Sequence, residues 1–129
     1  MLINGILNPS INSLLSRVRH TNALVIADRG FPFWPHIETV DISLVDDVPT
    51  VLQVFTAIRA NFKVGAVFMA REFQSHNTRT VQSRLSAACR GIELAFEPHV
   101  DFKKRVPQAI GLIRTGDTTQ YANMVLISA

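Results

Sequence analysis

The chain has 129 residues, 47% of them hydrophobic and 18% charged, with a formal net charge of +3 at pH 7. That length suits one domain spanning 1–129, and the apolar fraction excludes a disordered chain. No apolar run approaches the ~18 residues of a membrane helix, Met1–Asn8 lacks the layout of a secretory leader, and one cysteine excludes an internal disulfide framework.

Asn8 followed by Pro9 predicts a helix start, a capping side chain and then proline at the first helical position. Ile11, Leu14, Leu15 and Val18 continue it with helical spacing up to His20. Leu24–Ala27 reads as a short buried strand, ended by Asp28, Arg29 and Gly30. Pro32 and Pro35 keep the next stretch irregular, and Val40, Ile42 and Leu44 alternate as an extended segment. After Pro49, residues Val51, Leu52, Phe55, Ile58 and Phe62 form one helical face, and Val64–Ala70 is a second apolar strand. Val81, Leu85 and Ala88 mark a third helix that ends near Gly91, with Cys89 on its apolar side, where a thiol is buried and inert. Ile92, Leu94 and Phe96 alternate as a strand, Asp101 begins a short helix that Pro107 stops, and Ile110–Ile113 and Met124–Ile127 close the chain as two more strands. Helices alternating with short continuous apolar strands predict a three-layer α/β/α sandwich on a largely parallel sheet. Ligands of such sheets sit beyond the carboxyl ends of strands. Asp28 and His99 each lie just past one.

The chemistry-bearing residues are few. His20 and Asp28 flank the first strand, and a short reversal there would let the carboxylate orient the imidazole and raise its proton affinity. Each also has a plain structural reading, His20 as a helix C-terminal cation and Asp28 as a turn residue. His99 is either a helix-entry residue or a ligand contact. Tyr121 and Asn123 precede the last strand, as loop polarity or as donors and acceptors suited to sugar hydroxyls. His36 lacks comparable neighbours, His76-Asn77 reads as a solvated turn, and Trp34 as packing. The histidines lack metal-ligand spacing, no glycine-rich phosphate loop is present, and no Gly-x-Ser-x-Gly elbow occurs. Ten arginines are scattered from Arg17 to Arg114, with one basic run at Lys103–Arg105 and no interleaved aromatics. This fits a solvated surface or a subunit contact and not a nucleic-acid groove. An imidazole, a carboxylate and neutral hydrogen-bonding groups suit proton transfer on a neutral polyhydroxylated molecule.

Several segments together resemble one family. They are Gly5-Ile6-Leu7-Asn8, His20-Thr21, Leu24–Asp28, Ile42–Leu44, Val48-Pro49, His99 with Phe102-Lys103, Ile113–Asp117 and Tyr121-Ala122-Asn123. In this order they resemble the D-ribose pyranase and L-fucose mutarotase family (RbsD/FucU type) across essentially the whole chain. The resemblance implies an RbsD-like fold and a cytoplasmic isomerase that exchanges ring forms or anomers of a free monosaccharide by acid–base ring opening, without a cofactor. It implies His20 as proton donor and Asp28, His99, Tyr121, Ala122 and Asn123 around the sugar, with Ala122 acting through its backbone. Lys103 matches a family lysine. It further implies a ring-shaped homo-oligomer, commonly a decamer, with sites at subunit contacts, so that a neighbour supplies part of each site.

Four residues depart from the family pattern: Arg19 before the histidine, Arg29 after Asp28, Val40, and Asp47 where many ribose enzymes carry glycine. A guanidinium at Arg29 could pair with Asp28 and lower its basicity, narrow the pocket, or select an acidic sugar. Loss of catalysis through Arg19 and Arg29 would leave a non-catalytic sugar-binding or regulatory protein on the same fold. A basic scaffold binding nucleic acid is a third reading, testable at low salt.

Overall fold

A computed structural model describes residues 1–129. Helix α1 (Pro9–Arg17) begins as its sequence predicts: Asn8 Oδ1 accepts from Ile11 N at 3.0 Å and Pro9 holds the first turn. Strand β1 (Ala23–Ala27) is buried along its whole length. After β2 (Glu38–Asp41), Thr50 and Gln53 exchange side-chain and backbone hydrogen bonds of 2.9 and 3.1 Å to open α2 (Val51–Arg59). Then follow β3 (Val64–Ala70), a short α3 (Glu72–His76), α4 (Arg79–Ala88), β4 (Glu93–Glu97), α5 (His99–Arg105) with a 3-10 turn at Val106–Gln108, β5 (Ala109–Arg114) and β6 (Met124–Ser128).

Three details differ from the sequence expectation. The extended segment at 40–44 is instead paired over Glu38–Asp41, and Leu44 lies exposed in a loop closed by Leu44 N to Val48 O at 2.9 Å. The helix expected from Asp101 begins at His99, because Pro98 O already accepts from Phe102 N at 3.0 Å. Helix α1 stops at Arg17, since Val18 turns extended, so His20 lies beyond the helix in a turn.

The sheet order is β2-β5-β1-β6-β3-β4. Pairs β2–β5, β5–β1 and β3–β4 are parallel, whereas β6 runs antiparallel to both neighbours. The loop from Thr115 to Asn123 has only to cross over β1, about two strand spacings or ~10 Å. Being short, it starts β6 at the edge where β5 ended. Side chains alternate across the sheet. Leu24, Ile26, Met69, Met124 and Leu126 join α1, α2, Phe73 and Leu85 in the larger core, while Ala23, Val25, Ala27 and Val125 meet Phe31, Phe102 and Val106 on the other face. The predicted α/β/α sandwich is present. Helix α1 can lie close on the sheet because Gly111 has no side chain: a Cβ there would come within 2.5 Å of Leu14 Cδ1 and 3.2 Å of Glu38 O.

Candidate active site

The reversal of β6 decides what gathers at one edge. The C-terminal ends of β1, β3, β4 and β5 and the N-terminal end of β6 all arrive there. Asp28 follows β1, the Glu72–His76 helix follows β3, His99 follows β4, and Tyr121–Asn123 precede β6. They border an open cleft of about 580 Å³ that includes Asp28, His76, His99, Lys103, Tyr121 and Asn123. That size suits a small polar ligand.

Asp28 is the best-held group. Its backbone N–H donates to Asn123 Oδ1 at 2.7 Å, and Asn123 Nδ2 donates to Asp28 Oδ2 at 3.0 Å. An N–H on one side and a carboxylate on the other leave one orientation of the Asn123 amide. Gly30 N donates to Asp28 Oδ1 at 2.9 Å. The loop is laced to the strand beside it: Thr115 N and Oγ1 donate to Ala27 O at 2.9 and 2.8 Å, and Arg29 N to Asp117 O at 3.1 Å. Burial raises the Asp28 carboxyl above its ordinary value, the hydrogen bonds from Asn123 and Gly30 oppose this, and the negative Asp117 adds to the rise. The result is a carboxylate of enhanced basicity.

His99 opens α5, where its N–H donates to the Glu72 carboxylate at 3.0 and 3.3 Å. Its ring stacks on Phe102 (6.0 Å between centroids) and meets Tyr121 edge-on at 5.2 Å. Burial and the Lys103 ammonium one turn along hold its pKa below the ordinary value, against the pull of Glu72 and Asp28. The imidazole is therefore biased to its neutral form. Nδ1 of His99 is buried with no partner in the chain. Tyr121 sits in the left-handed region at φ +57°, clasped between His99 and, at 4.9 Å, the ring of His76. No three His, Cys, Asp or Glu side chains converge in a metal-holding group.

A model of the RbsD / FucU transport protein family matches residues 1–129. The chain belongs to this family. It is 38% identical over 125 residues to the D-ribose pyranase of Geobacillus kaustophilus, covering 97% of this chain and 91% of that protein. It is likewise 38% identical to the D-ribose pyranase of Chromobacterium violaceum, covering 97% and 95%. Among solved structures, Bacillus subtilis RbsD complexed with D-ribose superposes with a TM-score of 0.93 at 29% identity, covering 100% of this chain and 98% of that one. The fucose mutarotase of Streptococcus pneumoniae in complex with L-fucose shares the fold, with a TM-score of 0.80 at 16% identity and coverage of 95% and 92%.

Against the family pattern, the structure brings Asp28, His99, Lys103, Tyr121 and Asn123 into one cleft but not His20. His20 is exposed at the opposite end of β1, in a turn where Arg19 N donates to Asn22 Oδ1 at 2.9 Å and Thr21 N to Ser128 O at 3.0 Å. The strand alone separates the two ends by ~13 Å. The expected reversal between His20 and Asp28 does not occur within this chain, because β1 is extended between its partners. Ala122 has its side chain in the larger core, against which Tyr121 also packs, and it is not among the residues that border the cleft.

The Arg29–Asp28 pairing is also absent. Arg29 Nη1 instead bonds Asp46 Oδ1 at 2.6 Å, on the exposed side of the loop. Asp47 keeps a glycine-like φ of +61° and accepts from Thr118 N and Oγ1 at 2.9 and 2.7 Å. His76, read from sequence as a solvated turn, lines the cleft. Its signal was invisible along the chain, since α3 has barely more than one turn and no apolar period. A smaller cavity of about 190 Å³ behind the same loop is mostly apolar, and the Asp117 oxygens at its rim are already taken by Val51 N and Thr119 N at 2.8 and 2.7 Å.

Proposed function

We propose that this RbsD / FucU family member is a cofactor-independent isomerase that interconverts ring forms of a free monosaccharide, of the D-ribose pyranase or L-fucose mutarotase type. One observation carries the reading: a partly buried Asp28 of raised basicity, fixed by the Asn123 amide, faces a cleft shared with neutral His99 and Tyr121. Asp28 takes the proton of the anomeric hydroxyl as the bond from the anomeric carbon to the ring oxygen breaks. An acid delivers a proton to that oxygen. The open aldehyde rotates, and a hydroxyl attacks it from the other face, or a different hydroxyl closes the other ring size, with the protons returned in reverse. General acid–base help of this kind is worth roughly 10²–10⁴-fold, and positioning supplies the remainder. His99, Tyr121 and Lys103 hold sugar hydroxyls, Asn123 holds Asp28 and offers its second N–H, and the family resemblance adds a backbone contact at Ala122.

His20 is the acid, delivered by a neighbouring subunit of a ring-shaped homo-oligomer, with a decamer as the expected assembly. Support for this comes from its exposure in a turn pinned to the end of β6, a rigid mount for a side chain that reaches outward. The protein acts in the cytoplasm as one domain. A single cysteine, Cys89, with no disulfide partner fits a reducing compartment.

The test is NMR saturation transfer between the ring forms of pentoses, hexoses and uronic acids. The expected outcome is faster exchange of at least one sugar with the protein than without it. Saturable binding with no rate enhancement across the panel would instead identify a sugar-binding module.

A further inference from the structure

We infer that His76 is a sugar-binding residue of the cleft, which accepts a hydrogen bond from a sugar hydroxyl through Nε2. This rests on the reading of the cleft as a monosaccharide site and adds a contact that the family resemblance does not contain.

The tautomer follows from its partners. His76 Nδ1 lies 2.9 Å from the backbone carbonyl of Glu72, and a carbonyl only accepts, so Nδ1 carries the hydrogen. Ser75 Oγ donates to the same carbonyl at 3.2 Å and stands 3.0 Å from Nδ1, completing the brace. In the neutral ring the lone pair is therefore on Nε2, which makes no hydrogen bond within the chain. The ring is exposed, borders the cleft and packs on Tyr121 at 4.9 Å.

The position is built and not incidental. Asn77, the next residue, donates from Nδ2 to Phe73 O at 2.8 Å and to Gln120 O at 2.9 Å. The end of α3 is thereby tied to the loop that carries Tyr121. Gln82 Nε2 closes on Asn77 O and Gln74 O, both at 2.9 Å. His76 and His99 flank Tyr121 from two sides, so a sugar against Tyr121 meets a nitrogen acceptor at the α3 wall and the Asp28 carboxylate at the β1 wall.

Two substitutions separate the roles of the two ring nitrogens. His76→Gln places a polar group where Nε2 stood, whereas His76→Asn keeps one where Nδ1 stood. In saturation transfer on the sugar that the wild-type protein turns over, His76→Ala and His76→Asn are expected to raise KM roughly threefold to tenfold, the size of one neutral hydrogen bond, with kcat changing less. His76→Gln is expected to recover most of that loss. Unchanged KM in all three variants, or recovery by Asn and not by Gln, would overturn the inference. A direct reading is the nitrogen shift of His76 Nε2 during titration with D-ribose and with L-fucose. Movement on binding supports the contact even if no sugar exchanges faster, the result that sinks the isomerase reading alone. A stationary Nε2 signal at saturation, or no binding of either sugar, overturns the contact.

Discussion

Asp28 shows how one side chain is tuned by what its neighbours can and cannot do. Burial favours the neutral acid, while Asn123 and Gly30 favour the anion, and burial wins. Because its folded-state pKa lies above the unfolded value of 3.8, the linked stability is present below that value and is lost as pH rises through the folded pKa. At neutral pH the charge therefore costs stability, as expected where function sets the residue. Asp28→Asn should lower the exchange rate by roughly 10²–10⁴-fold. Its melting temperature at pH 7 should equal or exceed that of wild type, with the difference closing below pH 3.8, as followed by circular dichroism. His99 has the opposite sign: held below its ordinary 6.5, it is expected to cost stability as pH falls through the folded-state value. Protonation of either group removes a hydrogen-bond acceptor from the cleft, so the rate should decline on the acid side. Arg29 illustrates what composition conceals. Adjacent in sequence to Asp28, it points to Asp46, because successive residues at a strand end leave in different directions.

At the scale of elements, most boundaries were legible because local rules set them. Asn8-Pro9 caps α1, Pro49-Thr50 precedes α2, and four apolar runs and the alternation around Leu94 became strands. The weak points were a helix barely over one turn, which has no period to detect, and the strand near Val40, whose pairing with β5 and not its alternation decides its limits. Packing between elements also turns on single atoms. Gly111→Ala would press a methyl group against the fully buried Leu14 and the Glu38 carbonyl. Overpacking of this kind costs about 1–3 kcal/mol, expected as a lower urea midpoint at unchanged slope.

For the whole molecule, the decisive fact is that His20 and Asp28 occupy opposite ends of β1. If subunits share sites, two inactive variants should rescue each other. His20→Ala and Asp28→Asn, mixed in equal amounts and allowed to exchange subunits, are expected to regain up to about a quarter of the wild-type rate, since a quarter of random contacts then pair an intact His20 with an intact Asp28. No recovery in demonstrably mixed oligomers, with light scattering to follow assembly, would refute the sharing of sites.

The amino-acid order alone determined the layered α/β class, the run of the strands and the residue types of the cleft, because apolar periodicity and capping act over a few residues. Tertiary structure alone decided that β6 runs backwards, which brings Tyr121–Asn123 to Asp28, and that β1 runs straight between His20 and Asp28, which leaves His20 at the far edge. It also decided that a turn-like His76 joins the cleft. Strand direction depends on where a loop can reach across the sheet, and no window of neighbouring residues contains that distance.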